Sequence, residues 1–509
     1  MLDHIFYSFF TSLMSDFIST MTNSYQFAGS CIRIGNAMQD TKATNIPITL
    51  PLSTLNRHGL IAGATGTGKT KSLQLIIEQL SEAGVPSLVM DVKGDLSWVS
   101  QLGQINDKIL QRSQMLGIER KAQSYPVEFL TISDKPWLPC RSTITEFGPV
   151  LLAKILELND TQSSILSLVF KFCDDQGMLL LDLPDLKKVL QYMIDQGKED
   201  IKSDYGSISP ASVSTILRKI IEIEQQGATS FFGEPSLDVQ DLLQTRDDKG
   251  VINVLRINDI PDKPKFFSTF MLALLAELYM TLPEEWDLVK PKFCLFIDEA
   301  HLVFDNASKS LLDQLETTIK LIRSKGVGIY FITQLPTDIP ASILSQLWLK
   351  IQHALRAFTA KDRQTIKLAS QNFPDTDYYQ VDELLTQLGI WEALVTGLNE
   401  QWIPTALVHT MMCPPTSRMD TITDSELQHN ITNSSLVQKY RTTIDRQSAY
   451  EILSQKIANP DTDVDMHQPQ KTWPGMIEKF AKSSVGKQLG RSIVREWSKI
   501  LFGMIFGKR

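Results

Sequence analysis

The chain has 509 residues, 43% of them hydrophobic and 21% charged, with a formal net charge of −8 at pH 7. That length exceeds one ordinary domain and carries enough apolar side chains for a large core, so two or three units are expected. The acid excess excludes a globally basic nucleic-acid footprint and leaves such a ligand only a local patch or a pore lining.

Cys31, Cys140, Cys173, Cys294 and Cys413 form no CxxC pair, and the histidines form no HExxH. A disulfide framework and a zinc site are both disfavoured; buried thiols in a reducing, cytoplasmic compartment are expected. In chain order, Met1 to Met21 holds Phe6, Phe9, Phe10, Leu13 and Met14, but Asp3, His4 and Asp16 flank them and no basic region precedes them. The stretch reads as an amphipathic helix, or as an extension upstream of a start at Met21, and not as a leader or membrane span. No transmembrane segment is expected elsewhere.

Residues 1–52 form an N-terminal segment with a short β element, carried by Cys31-Ile32-Arg33-Ile34-Gly35 and Ile46-Pro47-Ile48-Thr49-Leu50. Gly63-Ala64-Thr65-Gly66-Thr67-Gly68-Lys69-Thr70 then fits the phosphate-binding P-loop pattern Gly-x4-Gly-Lys-Ser/Thr without a mismatch. A chance match in a chain of this length is expected roughly 0.02 times. His58-Gly59-Leu60-Ile61-Ala62 before it reads as a buried strand, and Leu73, Ile76, Ile77, Leu80 and Ala83 after it recur at helical spacing up to Gly84. Backbone N–H groups of residues 63–70 would cradle the phosphates of ATP, Lys69 would reach the β- and γ-phosphates, and the Thr70 hydroxyl would hold Mg²⁺.

Pro86 to Asp91 is a second core strand, ending in Asp91-Val92-Lys93-Gly94-Asp95; Asp91 and Asp95 stand either at a ligand site or as caps of the next helix. Residues 53–147 make the first part of an ATPase core. Residues 148–240 are helix-patterned and read as an insertion, closed by Phe231-Phe232-Gly233-Glu234-Pro235. The core resumes over 241–412. There Phe293-Cys294-Leu295-Phe296-Ile297 runs into Asp298-Glu299-Ala300-His301, a Walker B strand in which Asp298 would join the Mg²⁺ shell and Glu299 would act as general base. Gln334 ends the strand Gly326 to Thr333, where a strand inserted between Walker A and Walker B would place a sensor of the γ-phosphate; a loop-capping role is the plainer alternative.

Arg323, Arg356 and Arg363 are the candidate arginine fingers, because charge on the transferring phosphoryl group calls for a guanidinium; each could equally be a surface ion-pair residue. Trp391 to Leu398 and Pro404 to His409 read as a terminal hairpin. Residues 413–475 form a polar linker with one helix, and 476–509 a basic amphipathic tail, suited to an acidic partner, nucleic acid or membrane surface or to docking on the core.

Together these segments resemble the HerA/FtsK superfamily of P-loop ATPases, and more closely its HerA-like bacterial branch. The resemblance covers most of the chain. Beyond the P-loop it rests on Asp91-Val92-Lys93-Gly94-Asp95-Leu96-Ser97, on Thr161-Gln162 with the helical insertion, on Phe231-Phe232-Gly233-Glu234-Pro235, on Asp298-Glu299-Ala300-His301, and on Gln352-His353-Ala354-Leu355-Arg356-Ala357-Phe358-Thr359. It implies an α/β, RecA-like P-loop NTPase with a mostly parallel sheet, a helical insertion and a helical C-terminal tail. It also implies Mg-ATP hydrolysis, a homo-oligomeric and hexameric ring with an arginine finger acting in trans, and DNA translocation. HerA translocases carry a substantial N-terminal β-barrel, for which the segment before this P-loop is too short. Two readings follow: a DNA translocase or helicase-like motor, or a non-motor nucleotide switch or assembly ATPase acting on a protein partner. The absence of an Asn-Lys-x-Asp signature disfavours a GTPase.

Overall fold

The computed structural model describes residues 16–94, 96–257, 264–285, 288–304, 309–442, 444 and 446–458. Asp95 and the basic amphipathic tail lie outside the described residues. Contacts divide the described residues into two units, one falling within 1–141, 226–231 and 235–443 and the other within 142–225, 232–234 and 444–509.

The first unit is built on a twelve-stranded sheet. In chain order its strands are β1 (Cys31–Gln39), β2 (Lys42–Pro51), β3 (Gly59–Ala62), β4 (Ser87–Asp91), β5 (Val127–Thr131), β6 (Leu138–Pro139), β7 (Ile252–Arg256), β8 (Phe293–Ile297), β9 (Val327–Thr333), β10 (Leu349–Gln352), β11 (Glu392–Thr396) and β12 (Val408–Met412). Their spatial order is β2-β1-β12-β11-β10-β3-β9-β8-β4-β7-β5-β6. From β10 to β6 every pairing is parallel, and from β2 to β10 every pairing is antiparallel. The expected mostly parallel sheet is therefore present, with an antiparallel flank that joins the N-terminal β element to the terminal hairpin through β1 and β12.

Composition explains the split. β8 and β9 are buried along their whole length and are continuously apolar or nearly so, as a strand covered on both faces must be. β2 alternates in burial instead, as an edge strand with one wet face does. Phe296 of β8 stacks on Tyr330 of β9 with centroids 4.7 Å apart. After β3 the chain enters helix α1 (Lys69–Glu82), whose Leu73, Ile76, Ile77 and Leu80 are at most 1% exposed. Each such side chain stabilises by about 1.5–3 kcal/mol, so packing rather than intrinsic propensity holds α1 to the sheet.

His58 turns the chain into β3 with a φ of 64°. Its buried ring donates from Nε2 to the Ile319 carbonyl (2.8 Å) and accepts at Nδ1 from the Ile329 amide (3.0 Å), which lowers the cost of the strained turn by tying two core elements together. Burial pushes its pKa down to about 4, partly offset by the bond to Ile319.

The polar segment after residue 412 departs from the expected linker. Buried Glu78 of α1 accepts hydrogen bonds from the Thr416 and Ser417 amides (2.6 and 3.0 Å) and from both hydroxyls, stapling this segment along α1. The one expected helix is replaced by α12 (Asp424–Asn433), α13 (Ser435–Arg441) and α14 (Ala449–Ala458). Polar composition suggested a solvated linker; the hydroxyls are instead spent on a buried carboxylate. Among the cysteines, Cys31 is exposed and the other four are buried, all with free thiols.

The second unit is helical: α3 (Ile144–Ile155), α4 (Asp160–Asp175), α5 (Leu183–Ile194), α6 (Lys198–Tyr205) and α7 (Pro210–Gln225), with α14 from the C-terminal part. Its polar residues terminate helices. Thr143 with Glu146, Asn159 with Gln162 and Asp182 with Asp185 form reciprocal capping boxes. The buried Asp185 carboxylate also accepts from the Leu181 and Tyr450 amides, each at 2.8 Å, which anchors α14. Within this unit Phe232 meets Phe147 edge-on at 5.5 Å. No helix among the described residues is long and apolar enough to cross a membrane.

Candidate active site

The P-loop leaves β3 at Gly63 and enters α1 at Lys69. Gly63, Gly66 and Gly68 have φ values of 152°, 77° and 123°, conformations that a side chain strains. A Cβ at Gly63 would also lie 2.6 Å from the His353 Cβ, and one at Gly68 would lie 3.1 Å from Trp391, whereas Gly66 faces open space. Two glycines thus serve close approach as well as curvature. The Gly63 amide donates to the Thr333 carbonyl of β9 (3.3 Å), the Ala64 amide to the Ala354 carbonyl beyond β10 (2.8 Å), and the Thr67 carbonyl accepts from the Trp391 amide (3.1 Å). Thr65 and Gly66 are exposed at the crest of the loop, and Thr70 is half-buried in the first turn of α1.

The buried Lys69 ammonium donates to the carbonyls of Gly63 (2.5 Å) and Ala64 (3.1 Å). Its pKa lies below the ordinary lysine value because burial and then the neighbouring Lys93 charge disfavour the cation, against the pull of Glu299 and Asp298. Two ammoniums and two carboxylates therefore share one locale at the carboxyl ends of β3, β4 and β8, where open α/β sheets hold ligands.

Asp298 and Glu299 follow β8 directly and are 6% and 7% exposed. Glu299 has a φ of 47°, a sparsely populated conformation for a residue with a side chain. One carboxylate oxygen forms an ion pair with Lys93. The other, Oε2, stands 3.4 Å from His301 Nδ1 and makes no hydrogen bond among the described residues. The Asp91 carboxylate accepts from the Gly94 and Leu96 amides at 2.7 and 3.1 Å, shaping the turn that presents Lys93. Thr70 and Asp298 carry oxygen atoms of the hard type that Mg²⁺ accepts. The described residues contain no cluster of three or more His, Cys, Asp or Glu able to hold a metal.

Gln334 is exposed immediately after Thr333, the residue whose carbonyl receives the Gly63 amide. Its strand β9 lies between β3 and β8, the position that an inserted strand requires. Arg356 is exposed on the same rim, two residues beyond Ala354, and donates to the Thr386 carbonyl at 3.2 Å. Arg323 is also exposed but precedes β9, at the opposite end of the sheet. Seven residues of strand separate the two rims by about 20 Å, so Arg323 is not brought to its own P-loop. Arg363 is exposed in the first turn of α10 (Ala360–Ser370).

Three residues that the sequence left without an individual role support the loop. His353 is fully buried with Nδ1 2.8 Å from the Glu392 carbonyl and Nε2 2.9 Å from the Ser72 hydroxyl. A carbonyl only accepts, so the proton sits on Nδ1 and Nε2 accepts from Ser72, fixing α1 against β10. Burial pushes this ring to a pKa of about 4, so it is neutral at physiological pH. Trp391, with a φ of 66°, bonds the loop through its amide, and Arg112 of α2 (Asp107–Met115) lies over its ring at 5.1 Å. The available signal was a lone histidine closing an apolar strand and a tryptophan opening another. Neither pattern distinguishes a site from a core.

The helicase HerA-like C-terminal family model matches residues 36–503. The DNA double-strand break repair helicase HerA of Sulfurisphaera tokodaii is 22% identical over 392 residues, 73% of this chain and 68% of that protein. Its counterpart from Sulfolobus acidocaldarius is 21% identical over 402 residues, 75% of this chain and 69% of that protein. Among solved structures, VirB4 of Thermoanaerobacter pseudethanolicus covers 80% of this chain and 100% of its own at 14% identity and a TM-score of 0.47. The plasmid coupling protein TrwB in complex with ADP and Mg²⁺ covers 77% and 98% at 14% identity and a TM-score of 0.48. A family model that spans most of the sequence, P-loop and Asp-Glu strand end included, establishes that the chain belongs to the helicase HerA-like C-terminal family.

Proposed function

We propose that the chain is a Mg²⁺-dependent ATP hydrolase that acts in the cytoplasm, in a homo-oligomeric and hexameric ring, as a DNA translocase or helicase-like motor. The observation that carries this reading is the convergence of Lys69, Asp298 and Glu299 at one sheet rim, with the Gln334 strand between their strands. The P-loop amides and Lys69 bind the phosphates, and Thr70 and Asp298 hold the metal, which when bound supplies charge to the β- and γ-phosphate oxygens. Glu299 accepts a proton from the attacking water as its oxygen bonds to the γ-phosphorus and the bond to the β-phosphate oxygen breaks. Gln334 orients around the γ-phosphate. Because Arg323 lies at the far rim of its own sheet, a finger role for it requires action in trans on a neighbouring subunit, whereas the exposure of Arg356 on the P-loop rim is compatible with either mode. The DNA-directed part of the proposal draws on family membership and on the HerA relatives.

The test is the steady-state ATPase rate with and without duplex and single-stranded DNA at low and physiological salt, alongside Glu299→Gln. The expected result is stimulation by DNA that weakens with salt, as phosphate contacts demand, and Glu299→Gln protein that binds ATP but turns it over about 10²–10⁴ times more slowly. Turnover indifferent to DNA yet lost in Glu299→Gln would replace the motor with the nucleotide switch or assembly ATPase. Undiminished turnover in Glu299→Gln would remove the hydrolase reading.

A further inference from the structure

The Asp91–Leu96 turn is a sequence motif that the hydrolase reading leaves without work. Its geometry is specific. Both Asp91 carboxylate oxygens are engaged by backbone amides of the turn, at 2.7 Å from Gly94 and 3.1 Å from Leu96. Gly94 has a φ of 76°, a conformation that suits glycine, and a Cβ there would lie 2.9 Å from an Arg256 guanidinium nitrogen. That shape presents Lys93, whose side chain is 46% exposed, to the 9% exposed Glu299 carboxylate, and the two form an ion pair. Lys93 also stands close enough to Lys69 for the two charges to oppose each other.

Two ammoniums at one rim of the sheet leave a repulsion that a bound anion relieves, and a buried carboxylate competes poorly for a cation against a phosphate carrying more charge. We propose that Lys93 is a second cation for the terminal phosphate of a nucleoside triphosphate, exchanging its ion pair with Glu299 for that phosphate and so releasing the Glu299 carboxylate to take the proton of the attacking water. The inference rests on the ATP-hydrolase reading. Lys69 would hold the β- and γ-phosphates in common, and Lys93 would respond to the γ-phosphate alone. Base release would thereby be tied to a triphosphate being present. The strained Glu299 backbone fits a carboxylate held in one position by an ion pair and used in another.

The experiment measures equilibrium binding of a fluorescent non-hydrolysable ATP analogue and of ADP with the same fluorophore, both with Mg²⁺, to the full chain. Wild type, Lys93→Ala, Lys93→Arg, Glu299→Gln and the Lys93→Ala/Glu299→Gln double variant are compared. The expected result is a triphosphate-to-diphosphate affinity ratio that falls about tenfold in Lys93→Ala, the size of one charge-assisted contact, and stays within about threefold of wild type in Lys93→Arg. Glu299→Gln, which removes the carboxylate charge that Lys93 pairs with, should tighten the triphosphate analogue, and the double variant should lose that gain. A ratio unmoved in Lys93→Ala, or a gain that persists in the double variant, overturns the inference and leaves Lys93 as a tether for Glu299. Wild-type protein that binds neither probe overturns the hydrolase reading as well, so the two failures are distinguishable.

Discussion

The sheet unit and the helical unit bury polar side chains for different ends. In the helical unit, Thr143 and Asp185 are 4% and 1% exposed, and their oxygens are spent on backbone amides at helix starts. In the sheet unit, Lys69, Asp298 and Glu299 are also buried, at 8%, 6% and 7% exposure, yet their charges meet at one rim of the sheet, and one Glu299 oxygen makes no hydrogen bond among the described residues. Burial of a charged group therefore points to chemistry where opposite and like charges are gathered at one place, as around Lys69 and Glu299, and to structure where backbone amides engage it, as around Asp185. Asp91, in the sheet unit, shows the rule within one site: its carboxylate serves its own turn, and the residue that the turn presents does the electrostatics.

Variants can break this contrast. Lys69→Ala should have the largest effect, abolishing ATP turnover by about 10³-fold or more while the far-UV circular dichroism is retained; turnover near wild type would mean that the buried ammonium is structural. Next in size is a pH effect on stability. His353 and His58 have folded pKa values of about 4 against an unfolded value near 6.5. Between those values the unfolded chain binds more protons, so the stability conferred by the neutral rings is complete above about pH 6.5 and is lost as pH falls toward 4, by about 3 kcal/mol for each ring. Thermal midpoints at pH 7.5, 6 and 5 should decline stepwise; a flat series would contradict two neutral buried rings.

Asp185→Ala should cost about 3 kcal/mol, because three backbone amides lose their acceptor, and it should lower the denaturation midpoint while leaving ATP affinity unchanged. A change in ATP affinity would blur the division between the units. Thr143→Ala is the smallest, about 1 kcal/mol for a lost helix cap, read in the same denaturation curves.

The sequence by itself determined whatever depends on neighbours along the chain. The P-loop is legible because Gly63, Gly66 and Gly68 answer a local demand for positive φ and Lys69 follows at fixed spacing. β8 and its Asp298-Glu299 end are legible because a strand buried on both faces must be continuously apolar and a carboxylate then marks where it stops. The tertiary structure decided what depends on which strand lies beside which. Only the sheet order puts β9 between β3 and β8, brings Lys93 to Glu299, seats His353 against Gly63, and separates Arg323 from its own P-loop by the length of a strand. It also turned a polar stretch around Thr416 and Ser417, which composition marks as a solvated linker, into a clamp on buried Glu78. The reason is physical: φ preferences and apolar periodicity are properties of adjacent residues, whereas charge pairing and close approach arise between residues hundreds of positions apart that meet only when the sheet is assembled.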